Sequence, residues 1–271
     1  MHPRVSMNNI CFMREEISQQ LAYWPLIGAK RFSVLGPQLD GESGALVQAA
    51  LAAGNFQLET VVHPFSSAHP LDSDDGILAQ ARANLSARIA TAKQLGAKSI
   101  YMTTGGRGAL SWEPAAKAFA NAIAPCVDEA HRAGIALMIE NAPPQYADLH
   151  IAHTLRDTIT LAELAGIGVC IDICGCWTEA DLKSLIELAV PRCHLVQVSD
   201  YVLGDRSLPS RAVPGDGAIP LPTLLQWLLD AGYEGAFDLE LLGPRIEQEG
   251  NLQAAQRAVA NLSGMLNALG A

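Results

Sequence analysis

Positive charge is scarce in this 271-residue chain. Lys and Arg total 18 against 28 Asp and Glu, for a net charge of −10 and a pI near 5.1. Nucleic-acid binding rests on Lys and Arg neutralising phosphates, so no nucleic-acid partner is expected. No polybasic surface offers itself to a membrane. No apolar run reaches the roughly 18 residues that span a bilayer. The opening MHPRVSMNN lacks the basic-then-apolar pattern of a signal peptide. A soluble, cytoplasmic protein is expected, in which the sequons at Asn84 and Asn261 carry no meaning. CxxC pairs are also missing. Cys11, Cys126, Cys170, Cys174, Cys176 and Cys193 therefore read as buried thiols rather than a disulfide framework or a zinc site. No low-complexity stretch, no Walker loop and no GxGxxG after the first strand-like run are present, which removes the common nucleotide-binding folds.

Apolar residues are plentiful: 49% hydrophobic, with a mean hydropathy of +0.17. That is ample for a large core, and the length suits a single β/α barrel domain over residues 1–271. Strand-like runs fall at residues 5–10, 31–35, 57–63, 98–103, 135–140, 168–172, 194–199 and 236–242, with helical patterns between them. Gly54, Gly96 and Gly134 close three of those helical patterns. Thr178 is the expected N-cap of a helix running to Leu188. Eight alternating units with short connectors predict parallel βαβ pairing and a closed (β/α)8 TIM barrel, with an open doubly wound sheet as the alternative.

Four of these runs end in polar groups, which a structural core does not need. IALMIENAP carries Glu140, GVCID ends in Asp172, HLVQVSD carries Gln197 and ends in Asp200, and GAFDLEL carries Glu240. In a barrel such ends meet at the C-terminal mouth, where active sites sit. Side-chain alternation puts Gln197 on one face with Leu195 and Ser199, so an inward Gln197 turns His194 toward the helices. Three carboxylates packed together repel one another, and a divalent cation resolves that. An all-oxygen donor set of Glu140, Asp172, Gln197 and Glu240 favours a hard ion, Mn²⁺ or Mg²⁺. The long loop at residues 201–220 holds Arg211, a candidate to bind a substrate oxygen or carboxylate, and His63 ends the third run where it too can line a pocket. His150 and His153, in the loop after the fifth run, read as surface residues, and Tyr101, Trp112 and Trp177 more as core than as pocket walls.

These pieces resemble the xylose-isomerase-like barrels, a superfamily that also contains the AP-endonuclease-2-like proteins. The resemblance spans most of the chain. It is carried by IEN at Glu140, IDICG at Asp172, VQVSDY at Gln197, RAVPGDG at Arg211 and GYEGAFDLEL at Glu240. The family includes sugar epimerases, hydroxypyruvate isomerase, inosose dehydratase and dehydroshikimate dehydratase. Its metal ligands are Glu, Asp, His and Glu at the ends of strands five to eight. The resemblance gives three of those places to Glu140, Asp172 and Glu240. The chain departs twice: Gln197 stands where the family has His, and Gly175 stands where an Asp-x-x-His motif would place a second His.

The resemblance implies a metal-dependent isomerase or epimerase moving a proton beside the carbonyl of a sugar or related polyol ketone, with Glu140 and Glu240 as catalytic acid and base. The runner-up is a dehydratase, a lyase acting on a cyclic β-hydroxy ketone. A non-catalytic barrel that binds a small molecule is the third reading, motivated by the missing His. A nuclease is disfavoured, because neither a His-rich metal cluster nor a basic groove is present. Barrels of this kind often pair through their outer faces, so a homo-oligomer is allowed for, although no stretch marks such a contact.

Overall fold

A computed structural model of the chain describes residues 1–66 and 68–271. Each expected strand-like run forms a strand: β1 Val5–Asn8, β2 Arg31–Leu35, β3 Gln57–Val62, β4 Ser99–Met102, β5 Ala136–Glu140, β6 Gly168–Asp172, β7 Cys193–Val198 and β8 Ala236–Leu239. The helices are α1 Ile17–Ile27, α2 Gly41–Gly54, α3 Asp75–Gln94, α4 Trp112–Ala133, α5 Leu155–Ala165, α6 Ile173–Cys176, α7 Leu182–Ala189, α8 Leu221–Asp230, α9 Pro244–Glu249 and α10 Asn251–Leu269. The strands form one closed barrel in chain order, β1 to β8, and the fold is a (β/α)8 TIM barrel.

The local reasons are visible in the sequence. All five residues of β6, GVCID, are buried, as expected of a parallel strand covered on both faces. In α4 the buried set Ala115, Phe119, Ala122, Cys126 and Ala130 recurs every three or four residues and makes one apolar stripe. Gly134 ends α4 at φ +73, a left-handed conformation that glycine adopts without a Cβ penalty.

One expectation fails. Thr178 caps no helix. The Asp172 side chain accepts from the Cys174 backbone N–H at 3.0 Å and turns the chain at once into the single turn α6. The next helix, α7, begins only at Leu182, behind Asp181 at φ +56. The left-handed backbone at Asp181 breaks the run, so a helix cannot start at Thr178 and continue to Leu188.

The chain divides into two compact units. The first, residues 1–59 and 195–271, contains the parallel pairs β1–β2, β1–β8 and β7–β8. In its core Trp24 stacks on Phe32 at 4.3 Å, and Phe56 packs edge-on against both rings. The second, residues 60–194, contains the pairs β3–β4, β4–β5 and β5–β6, with Phe65 edge-on to Phe119.

Candidate functional site

In the second unit the strand ends carry the predicted acids. Glu140 is the last residue of β5 and is half-buried; Asp172 is the last of β6 and is buried. Asn141, fully buried, joins the two ends. Its Nδ2 donates to the Asp172 carbonyl at 2.9 Å, and its Oδ1 accepts from the Asp172 N–H at 2.9 Å. This two-way clamp also accounts for Gly175. A Cβ at that position would lie 2.6 Å from Asn141 Nδ2 and 3.1 Å from Asp172 Oδ2. The family's second His has no room there while Asn141 holds its place.

His150 is a correction. The surface position expected of a residue in the loop after the fifth strand is wrong: it is fully buried. Its Nδ1 accepts from the Thr104 backbone N–H at 3.0 Å, and its Nε2 lies 2.8 Å from the Glu140 carbonyl. Burial pushes its pKa down to about 4. His153, half-buried, lies 3.0 Å from the Ala142 carbonyl through Nδ1. His63 follows β3, is half-buried, and donates its backbone N–H to Tyr101.

The depressed His150 value carries a sign. An unfolded His binds a proton below about pH 6.5, and the folded one stays neutral down to about 4. The unfolded state therefore takes up more protons in that window, and the His150 contribution is lost as pH falls through it. The stability of wild type relative to His150→Gln should rise by about 3 kcal/mol between pH 4 and 6.5, then level off. Urea titrations of both proteins across that range check it, and a flat difference would refute it.

In the first unit, to which β7 belongs from Leu195 on, every residue of that part of the strand is buried. Gln197 and Ser199 are fully buried, and His194 is exposed. Neither Oε1 nor Nε2 of Gln197 has a hydrogen-bond partner. An unpaired buried amide costs about 1–3 kcal/mol, so such a group points to a ligand or to strain. Glu240, just beyond β8, faces Arg211 from the long loop, Nη2 to Oε2 at 3.3 Å. Arg211 Nη1 donates to Ser199 Oγ at 3.3 Å. Both members of this ion pair are largely buried.

Asp200 and Asp238 are further buried carboxyl groups in this unit, beyond the predicted site residues. Asp200 accepts four backbone N–H groups of the long loop, from Tyr201, Gly215, Gly217 and Ile219, at 2.8 to 3.1 Å. Asp238, fully buried, accepts from Asn8 at 3.0 Å and Ser33 at 2.8 Å. Burial pushes its pKa up to about 7, against the pull of bonds from Ser6, Ser33 and Asn8. The signal was present in GAFDLEL, where Asp238 shares the parity of Glu240.

Among the described residues, no three His, Cys, Asp or Glu side chains gather into a group that could hold a metal ion. The cysteines are all free thiols, and five of the six are buried. A cleft of about 490 Å³ lies at the opposite ends of β5 and β6 from Glu140 and Asp172, lined by His131, Ile135, Leu137, Gly168, Arg192 and His194 among others. No helix among the described residues is long and apolar enough to cross a membrane.

Comparison with solved structures gives the same fold at low identity. D-psicose 3-epimerase with D-tagatose from Clostridium cellulolyticum H10 is 14% identical, covering 96% of this chain and 98% of its own, with a TM-score of 0.78. The probable 3-DHS dehydratase AsbF from Bacillus anthracis is 13% identical over 95% of this chain and 99% of its own, with a TM-score of 0.73. IOLI protein with a bound zinc atom is 16% identical over 98% and 99%, with a TM-score of 0.78. A search among curated proteins found no match. The model of the xylose isomerase-like TIM barrel family matches residues 26–262, nearly the whole length, and the chain belongs to that family.

Proposed function

We propose that the chain is a divalent-metal-dependent isomerase or epimerase that moves a proton beside the carbonyl of a sugar or related polyol ketone. Glu140, Asp172, Gln197 and Glu240 would hold the cation, with Mn²⁺ or Mg²⁺ favoured by four oxygen donors. The observation that carries this is Gln197, a fully buried amide with no hydrogen-bond partner, in the strand-seven place where the family has a ligand. Support comes also from the order of the strands, since the four residues end consecutive strands or lie within two residues of their ends. A bound ion supplies positive charge beside the substrate carbonyl, which lowers the cost of removing a neighbouring proton.

The chain's own residues do the remainder. Glu140 and Glu240 are the acid and base: one takes the proton from the carbon next to the carbonyl, and the other returns a proton to the opposite face or the adjacent carbon. Arg211 orients a substrate oxygen with its planar fork, and His63 lines the substrate site. In the unliganded chain Arg211 is the counter-ion of Glu240, so cation binding competes with it. Arg211→Ala should therefore bind Mn²⁺ about tenfold more tightly while turning over more slowly. Calorimetric titration beside wild type checks this, and weaker binding would contradict it.

Gln197 favours a second reading, a lyase that dehydrates a cyclic β-hydroxy ketone. There the acid gives its proton to the departing β-hydroxyl, which leaves as water, and a conjugated product remains. Zinc is the metal in the IOLI structure and belongs in the same screen. The test is titration of the purified protein with Mn²⁺, Mg²⁺ and Zn²⁺, then incubation of the loaded protein with ketoses and cyclic hydroxy ketones. Stoichiometric binding with ketose interconversion supports the first reading, and a new ultraviolet chromophore supports the second. No binding at millimolar metal overturns both.

A further inference from the structure

His150 and Asn141 have no assigned task, yet both are fully buried and both bond to the backbone at the ends of β5 and β6. The Thr104 N–H must donate, so His150 Nδ1 is the acceptor and carries no proton. The ring proton is then on Nε2, where it donates to the Glu140 carbonyl at 2.8 Å. The Thr104 hydroxyl closes the arrangement, accepting from Ile151 N–H and donating to the Gly105 carbonyl. One neutral ring thus ties the chain leaving β4 to the last residue of β5, and Asn141 ties the following residue to the last of β6.

We propose that His150 and Asn141 are positioning residues that set the bearing of Glu140 and Asp172, with Gly175 bare so that the clamp can form. This rests on the reading of Glu140 and Asp172 as cation ligands. Partners that orient metal ligands typically account for 10- to 100-fold in affinity. Glutamine in place of His150 can still reach the Glu140 carbonyl with an N–H. Asparagine can answer only Thr104. Position 175 probes the Asp172 side of the clamp, because an alanine Cβ would press hardest on Asn141 Nδ2 and also approach Asp172 Oδ2.

The experiment is Mn²⁺ titration of the full chain, followed by the electron paramagnetic resonance signal of free Mn²⁺, for wild type, His150→Gln, His150→Asn and Gly175→Ala. Thermal melts run in parallel. The expected result is about a 10- to 100-fold loss of affinity in His150→Asn and Gly175→Ala, with His150→Gln within a few-fold of wild type. Rescue by Gln and not by Asn separates positioning from a merely structural role. Equal affinity in all four proteins overturns the proposal and leaves the cation site standing, as does equal weakening in both His150 variants. Absence of Mn²⁺ binding in wild type overturns the cation reading and the proposal with it. Should His150→Asn fail to fold, Gly175→Ala against wild type decides.

Discussion

Asp200→Ala is expected to destabilise the protein by about 3–5 kcal/mol. The reason is arithmetic of donors. Asp200 is buried and accepts from four backbone N–H groups, two at each oxygen. Alanine leaves all four without that acceptor, and each costs about 1 kcal/mol or more where water cannot reach. The backbone bridge between Asp200 and Ala212 is short and cannot hold the loop alone. Outside bonds remain, from Arg257 to both oxygens of Asp216 and from Asn261 to the Pro214 carbonyl, so the loop should loosen rather than detach. Asp200→Asn should fall between, because one amide face still accepts while the other presents hydrogens to Gly215 and Gly217. Gly217→Ala should resemble it, since a Cβ there would run into the Asp200 carboxylate and the Tyr201 carbonyl. Urea denaturation with an unchanged m-value reads these losses directly. A loss below about 1 kcal/mol in Asp200→Ala would show that the four bonds are replaced by water.

Glu140→Gln is the second large effect, and it falls on chemistry rather than folding. The substitution keeps the shape of a half-buried side chain and removes its charge. General acid–base catalysis contributes typically 10²- to 10⁴-fold, and kcat should fall by about that much. Mn²⁺ affinity should fall with it, because a carboxylate donor is replaced by a neutral carbonyl. Stability should hold or rise slightly, since one of several negative charges is gone. A variant with full turnover would remove Glu140 from the mechanism. A variant that instead loses several kcal/mol of stability would mark Glu140 as structural.

The sequence already carried most of the barrel. Eight apolar runs separated by helical patterns are enough to imply parallel units, because a strand buried on both faces must be continuously apolar. It also carried the polar strand ends, since an acid that closes an apolar run is conspicuous against it. Alternation groups Gln197 with Leu195 and Ser199, and the structure buries all three. His150 was misread for a physical reason. It lies in a loop with no periodicity, and its ring is held by the Thr104 N–H, 46 residues earlier. Asn141 could be seen beside Glu140, but its clamp depends on a backbone 31 residues away. Gly175 looks like a lost histidine in the sequence, and only the position of the Asn141 amide shows that a Cβ there would press on it. The pairing of Arg211 with Glu240 and the anchoring of its loop on Asp200 were likewise beyond periodicity. Strand, helix and facing are set by neighbours within a few residues, which the order of amino acids records. Hydrogen bonds between distant segments are set by where closed strands deliver their ends, and that is decided only when the tertiary structure forms.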